Sequence, residues 1–259
     1  ANLTVAAAVA FDNANEQIIT AGNNLILSTT FTMTLGQITS TGGTITLNGV
    51  PGGGTLNFSG STLVLNGDLN TTAAAFTAPT NLSITSSATL TTNAATFTAT
   101  TLTLNDLALT LVNTTLTVTN AVTLDNANEQ IITGTNDFTL TAAPTFSNGA
   151  ITSAGGTITF SDVAGTTISG GTFDCTGSTL SLNGDLNLSG SAFTAPTTLV
   201  LNTNPTTLTG AGTISVTTLT LNDLALTLAS TNLTVTNAVT IDNANEQIIT
   251  AGNNLTLTA

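Results

Sequence analysis

The chain repeats itself over long distances, and this repetition limits its possible folds more than any other feature. The nonapeptide DNANEQIIT occurs at residues 12–20, 125–133 and 242–250, so its copies start 113 and 117 residues apart. The flanking segments match at the same offsets. Residues 3–115 and 116–232 are therefore two copies of one block, and residues 233–259 begin a third copy. Such self-similarity is typical of repeat architectures, whose units stack on one another.

A shorter period of about 20 residues lies inside this block. Its clearest marks are pairs of alternating apolar residues, at Leu63/Leu65, Leu82/Ile84, Leu102/Leu104 and Val122/Leu124. Two more alternating segments lie between successive pairs, so each period holds three short strand signals. This pattern predicts an all-β chain folded as a single parallel β-helix, or β-solenoid, with about 13 turns over residues 1–259. A right-handed coil is expected, because parallel crossovers nearly always have that hand.

A pair of immunoglobulin-like sandwiches is the alternative, because such a domain has about 100 residues. A sandwich carries about seven strands in that length. The strand signals in this chain are roughly twice as dense, which favours the solenoid.

The long block is expected to contain about six turns, which would place successive copies about 29 Å apart at a spacing of about 4.8 Å per turn. The four-residue difference between the two offsets falls in one segment, residues 50–61 in the first copy and 163–178 in the second. A segment that accepts an insertion is predicted to be a loop.

The chain contains no Lys, Arg or His, and its 13 acidic residues give a formal charge of −13. Phosphate backbones and anionic membrane surfaces are bound by Lys and Arg, so neither nucleic acid nor membrane is an expected partner. No segment has the 18 or more consecutive apolar residues of a membrane span, so membrane insertion is not expected either. The usual catalytic bases are also missing, and no pair of carboxylates stands apart from the duplication. The sequence therefore predicts a protein that is not an enzyme, with no catalytic and no cofactor-binding residues.

Calcium is the one metal that this composition favours, because calcium takes oxygen ligands. The candidate ligands are the acids of the repeated nonapeptide, Asp12, Glu16, Asp125, Glu129, Asp242 and Glu246. The alternative is a solvated corner of the solenoid, where Asp and Asn tolerate left-handed backbone geometry. Residues 20 apart in adjacent turns would then pair an acid with an amide, Asp106 with Asn126 and Asp223 with Asn243.

Cys175 is the only cysteine. It cannot form a disulfide within the chain, so it is predicted to be a small core residue, with a bridge between molecules as the alternative.

Several strings resemble the Thr/Asn/Gly-rich repeats of secreted bacterial β-solenoids, namely filamentous-haemagglutinin-like adhesins and autotransporter passenger domains. They are TLTLNDLALTL at residues 101–111 and 218–228, GGTITLNG at 42–49 and NNLTLTA at 253–259. The resemblance implies an extracellular or cell-surface location.

Plain repeat runs to both ends of the sequence, and exposed strand ends tend to pair with other chains. The expected function is therefore that of a subunit or segment of an extracellular fibre, sheath or biofilm matrix. Copies of the chain would join end to end or side by side, the end contacts being made by Leu3, Val5, Leu255 and Leu257. The alternative is the stalk of a bacterial surface adhesin whose binding tip lies outside this chain.

Overall fold

A computed structural model of the chain describes residues 1–49, 51–202 and 206–258, and within these the side chains of residues 94, 95 and 211 are also left undescribed. All regular secondary structure in the described residues is β-strand, and the strands pair in parallel in successive turns. The parallel β-solenoid expected from the sequence is thereby confirmed. The right-handed sense stays a prediction. The chain forms two compact units, Ala1–Thr119 and Asn120–Ala259.

The strands of the first unit range from three residues, as in β1, to twelve residues in β12. They are β1 (Leu3–Val5), β2 (Val9–Phe11), β3 (Gln17–Ile19), β4 (Leu25–Leu27), β5 (Phe31–Met33), β6 (Gln37–Thr39), β7 (Thr44–Gly49), β8 (Thr55–Asn57), β9 (Thr62–Asn70), β10 (Ala75–Thr77), β11 (Asn81–Ile84), β12 (Ala88–Ala99), β13 (Thr101–Thr103) and β14 (Ala108–Val118).

These strands stack into three columns, one for each side of the coil. The first column pairs, in order, Leu3, Leu25, Ile45, Leu63, Leu82 and Leu102. The second joins β2, β5, β7, β9, β12 and β14. The third joins β3, β6, β8 and β10, and the Phe76 ring of β10 stacks on Phe97 with centroids 5.6 Å apart. The predicted three strands per turn are confirmed.

The second unit is built in the same way. Its strands are β15 (Thr123–Leu124), β16 (Gln130–Gly134), β17 (Phe138–Leu140), β18 (Thr145–Phe146), β19 (Ala150–Ser153), β20 (Thr157–Phe160), β21 (Thr166–Thr167), β22 (Thr172–Asp174), β23 (Thr179–Leu182), β24 (Leu186–Asn187), β25 (Ala192–Thr194), β26 (Thr198–Leu201), β27 (Thr206–Leu221), β28 (Ala225–Thr240), β29 (Gln247–Ile249) and β30 (Leu255–Leu257).

Three columns of strands again result. One runs from β15 and β18 through β21, β24, β27 and β28 to β29. A second begins with β16, β19, β22 and β25, and a third joins β17, β20, β23, β26, β27 and β28. Together the units make about 12 turns, against about 13 predicted. Many turns are longer than 20 residues, as from Phe146 to Ile168.

The core of each unit consists of the inward side chains of these strands, as the alternation predicted. In β23, for example, Leu180 and Leu182 are buried while Thr179 and Ser181 are half-exposed. Some strands also continue through the corners, and β27 and β28 each reach 16 residues. The sequence predicted only short strands, because a corner without glycine or a polar cluster leaves no clear mark.

The predicted insertion loop lengthens one turn. Ile45 pairs with Leu63 in the first unit, whereas Ile158 pairs with Leu180 in the second, so the step grows from 18 to 22 residues. The longer turn still contains strands β21 and β22. Part of it forms the corner at residues 161–165, where Val163 is 74% exposed. Residue 50 lies outside the described residues.

The block contains slightly less than the six turns predicted, so its copies do not begin in the same column. Leu3 and Leu116 are equivalent in the repeat, but Leu3 begins the first column, whereas Leu116 pairs with Phe97 beside the third. In the second unit, Ile131 heads the column of β19, whereas its equivalent Ile248 pairs with Leu226 in the column of β24. The block therefore spans about five and two-thirds turns, and each copy starts one column earlier. All three columns need the same alternation, so the sequence pattern did not distinguish them.

Candidate functional site

The repeated nonapeptide folds into a turn that is closed by its own glutamate. In the second copy, Glu129 Oε2 accepts hydrogen bonds from the backbone N–H of Asp125 at 2.8 Å and of Asn126 at 3.2 Å. Asn126 Oδ1 accepts from the N–H of Asn128 at 3.0 Å, and Glu129 N–H donates to the Asn126 carbonyl at 3.0 Å. An Asx turn and a carboxylate cap therefore satisfy the local donors.

The same bonds form in the other two copies. Glu16 Oε2 accepts from Asp12 N–H at 2.7 Å and Asn13 N–H at 3.1 Å. The Glu246 carboxylate accepts from Asp242 N–H at 2.6 Å and from Asn243 N–H at 3.2 Å. The first and third copies lie in different units, so the turn is specified by its own residues.

This geometry does not support the calcium hypothesis. Each glutamate directs a carboxylate oxygen at the backbone of its own turn, and the aspartate four residues before it is exposed to solvent. Within the described residues, no group of three or more His, Cys, Asp or Glu residues is arranged to hold a metal ion. Calcium binding by Asp12, Glu16, Asp125, Glu129, Asp242 and Glu246 stays a prediction without support from the geometry.

The corner interpretation is right in part. Asp12 and Asp242 are exposed, as expected for a solvated corner. The left-handed geometry expected there is found elsewhere in the described residues, in Asp106 (φ 62°), Asp223 (φ 60°) and Ala21 (φ 45°), among others. Asp223 does lie against the 242–246 turn, but the contact runs from its N–H to Glu246 Oε1 at 3.2 Å. Asn243 is not its hydrogen-bond partner.

The glutamate cap has an electrostatic consequence at Glu246. Partial burial acts to raise its pKa, but hydrogen bonds from the N–H groups of Asp223, Asp242 and Asn243 outweigh that effect and hold the pKa below its ordinary value. Hydrogen bonds to the charged form of a carboxyl favour that form.

We expect the Glu246→Gln variant to be less stable than the wild type at pH 7 and nearly equal to it in strong acid. The lowered pKa in the folded state means that the carboxylate stabilises the fold above about pH 4.3, the ordinary value for glutamate, and that this stabilisation is lost as the pH falls through the folded-state pKa. The urea midpoint followed by far-UV circular dichroism between pH 7 and pH 3 measures it. Asp242→Asn, which leaves the Glu246 carboxylate and its backbone partners in place, should match the wild type at pH 7 more closely than Glu246→Gln does.

A glycine of the following turn lies directly beneath each of the first two capped turns. A Cβ on Gly149, which has a φ of +71°, would lie 2.6 Å from the Glu129 carbonyl oxygen and 3.0 Å from that of Asn126. A Cβ on Gly36 would lie 2.7 Å from the Glu16 carbonyl oxygen. The backbones of the two successive turns are also hydrogen-bonded to each other, because Ala150 N–H donates to the Glu129 carbonyl at 2.8 Å. The sequence interpretation missed these glycines, although each follows a nonapeptide at the same distance.

A second feature missed from sequence is a set of buried hydroxyl groups at inward corners. Ser61 Oγ donates to Ser40 Oγ at 2.8 Å in the first unit, and Ser178 Oγ donates to Ser153 Oγ at 2.7 Å in the second. All four side chains are at most 1% exposed. On an outer face of the same unit, the amides of Asn183, Asn202 and Asn222 also form a turn-to-turn ladder.

Among the described residues, each predicted assembly residue lies on a strand that is paired on one side. Strand β1 pairs with β4, and Leu3 is 43% exposed although its repeat equivalent Leu116 is fully buried. Strand β30 pairs with β28, and Leu257 is 56% exposed although its equivalent Leu140 is 1% exposed. Val5 and Leu255 are half-buried. An apolar edge strand is the kind of surface on which a further strand can add.

Cys175 is fully buried and carries a free thiol, which confirms its predicted place in the core. Burial, and secondarily the neighbouring Asp174 carboxylate, raises the pKa of the thiol. A buried thiol with a raised pKa is a poor nucleophile and a poor partner for a bridge between molecules.

No protein-family model, no curated protein and no solved structure matches this chain. Among the described residues, no helix is long and apolar enough to span a membrane.

Proposed function

We propose that this chain is a structural β-solenoid, a subunit or segment of an extracellular fibre, sheath or biofilm matrix that lengthens by adding strands at its edges. The observation that carries the proposal is the pair of apolar edge strands, β1 and β30. Their side chains are exposed at Leu3 and Leu257, whereas the same positions are buried wherever a neighbouring turn covers them. A covering turn would bury apolar surface, which stabilises the contact by about 25 cal/mol per Å². It would also form hydrogen bonds with the unpaired backbone groups of the edge strand.

The turn that covers such an edge must have the same kind of strand, whichever molecule it comes from. It must be a parallel strand with alternating apolar residues, which is what every turn of this chain offers. A second copy of the chain or further turns of a longer polypeptide would satisfy the edge equally well.

The composition supports a role outside the cell. With no Lys or Arg, the chain has no site for proteases that cut after basic residues. The resemblance to secreted bacterial solenoids points the same way.

The 259-residue chain is expected to form elongated polymers as its concentration rises. Added salt should favour them, because each copy carries a formal charge of −13 and salt screens the repulsion. Sedimentation velocity and negative-stain imaging measure length and shape. The edge variant Leu257→Asp should stay monomeric, since it places a charge in the new interface.

The matched control is Val163→Asp, which changes an exposed apolar residue at a corner, away from the edge strands. It should polymerise like the wild type. A folded wild-type chain that stays monomeric in high salt would contradict the proposal, and short single rods that project from the cell would instead support the adhesin stalk.

A further inference from the structure

One face of the second unit carries a regular array of threonines, which is called the Thr face below. Four successive strands, β20, β23, β26 and β27, each direct two alternate side chains outward on this side. Its members are Thr157, Thr159, Thr179, Ser181, Thr198, Val200, Thr218 and Thr220. Strand pairing aligns them in two straight rows, the first composed entirely of threonine. Ile158, Leu180, Leu199 and Leu219 lie beneath them in the core.

The threonine hydroxyls of this face are not used by the protein. Within the described residues, none of the six threonines has a side-chain hydrogen bond to another residue, whereas Ser181 Oγ accepts one from the Asn202 amide at 2.7 Å. The comparable rows of the first unit differ, because there Thr101 Oγ1 donates to Asn81 Oδ1 at 2.7 Å and Asn81 donates in turn to Thr62. The Thr face therefore holds hydrogen-bonding groups that are free for a partner outside the molecule.

The array is also held in place. Threonine is restricted at χ1 by its branched Cβ, and each Thr-face side chain is half-buried against its neighbours. The Asn183–Asn202–Asn222 ladder runs along the carboxyl ends of β23, β26 and β27. Side-chain ladders of this kind favour a flat sheet. A rigid array loses little conformational entropy when it binds a rigid partner.

The absence of charged residues from the Thr face favours an uncharged partner. None of its eight residues is charged, although the chain carries 13 acids. The nearest acid in the same rows is Asp137, whose carboxylate accepts a hydrogen bond from Thr157 N–H at 2.7 Å. Another copy of the chain would bring a further −13 of charge to the contact, which opposes face-to-face self-association.

The spacing of the array points to a crystalline partner. Neighbouring turns of a parallel sheet are about 4.8 Å apart, and alternate residues on one strand are about 6.6 Å apart. Both repeats are similar in size to those of the oxygen lattice on the prism face of hexagonal ice, which is uncharged and both donates and accepts hydrogen bonds. The threonine methyl groups would occupy gaps of that lattice while the hydroxyls join it. We propose that the Thr face binds ice.

Ice-affinity partitioning of the 259-residue chain tests the proposal. The wild type should be enriched in a slowly growing ice hemisphere and should block recrystallisation of fine ice grains. Thr198→Tyr, which places a bulky ring in the middle of the first row, should reduce both signals to the level of a non-binding protein. Far-UV circular dichroism must show the wild-type spectrum for the variant.

Thr152→Tyr is the matched control, because Thr152 is also an outward, half-buried threonine of the second unit but lies on strand β19 of another column. It should partition into ice like the wild type. Equal loss in both variants, or exclusion of the folded wild type from ice, overturns the proposal. Retention on crystalline cellulose or chitin without retention in ice would overturn it in favour of a polysaccharide surface, and a change of oligomeric state confined to Thr198→Tyr would overturn it in favour of a second copy.

Discussion

Replacement of Gly149 by alanine is expected to lower the free energy of unfolding by about 3 kcal/mol. Two costs combine at this position. A left-handed backbone costs a residue with a Cβ about 1–2 kcal/mol, and the φ of Gly149 is +71°. The new Cβ would also lie 2.6 Å from the Glu129 carbonyl oxygen, a rigid backbone atom that is already bonded to Ala150 N–H. Relief would require the capped turn to move away from the turn below it.

Gly134→Ala separates these two costs. Gly134 also has a positive φ, of +57°, but a Cβ there would meet only the Asn136 amide nitrogen at 3.9 Å. Its repeat equivalents are already alanines, Ala21 with φ 45° and Ala251 with φ 48°. The control should therefore cost about 1 kcal/mol, the backbone cost alone. Because the chain has no Trp or Tyr, urea unfolding is best followed by far-UV circular dichroism. Similar losses for the two variants would show that the contact with Glu129 is unimportant.

The fold could be predicted from the sequence because it depends on a pattern that many residues share. Leu63, Leu82 and Leu102 stand at spacings that only a stack of short turns satisfies, and they do pair in register. What the pattern could not give is the column on which each copy lies. Leu3 and Leu116 occupy different columns. The sequence could not show this, because the inward alternation is the same on all three sides of the coil.

The candidate site could be located from sequence but its chemistry could not be read there. Repetition singled out Glu129 and its equivalents, and residue type alone allowed either a metal ligand or a turn former. The two alternatives differ in the direction of the glutamate carboxylate. In Glu129 the carboxylate accepts hydrogen bonds from the N–H groups of Asp125 and Asn126, as a turn former does. The buried Ser153–Ser178 bond was equally invisible, because a lone serine in a polar sequence gives no sign of burial.

The two proposed properties, polymerisation and ice binding, depend on different parts of the chain. The proposed edge addition would use strands β1 and β30 and would depend on backbone pairing, whereas the proposed ice binding would use outward side chains of β20, β23, β26 and β27. The variants Leu257→Asp and Thr198→Tyr therefore act independently, and each should leave the other property unchanged. A chain that both polymerises and binds ice would present its Thr face many times along one polymer, which raises its effective affinity for an extended crystal.

Replacement of Phe173 by alanine is expected to cost about 3–5 kcal/mol, the usual range when a buried aromatic ring is lost. Phe173 is fully buried. Its ring lies between those of Phe160 and Phe193, with centroids 5.4 Å and 5.6 Å away. Such aromatic pairs contribute about 0.5–1.5 kcal/mol beyond the area that they bury. The strand of Phe173 pairs with those of Ile151 and Phe193, which hold the walls of the new cavity apart.

The control is Phe193→Ala, which removes a half-buried ring from the end of the same aromatic row. Solvent can fill the space that it leaves, so this variant should lose about half as much stability or less. Urea unfolding of the two variants, measured side by side, gives the comparison. Equal losses would mean that the second unit has no dense aromatic core around Phe173. A larger loss at Phe173 would show that the close packing around its buried ring contributes to the stability of this unit.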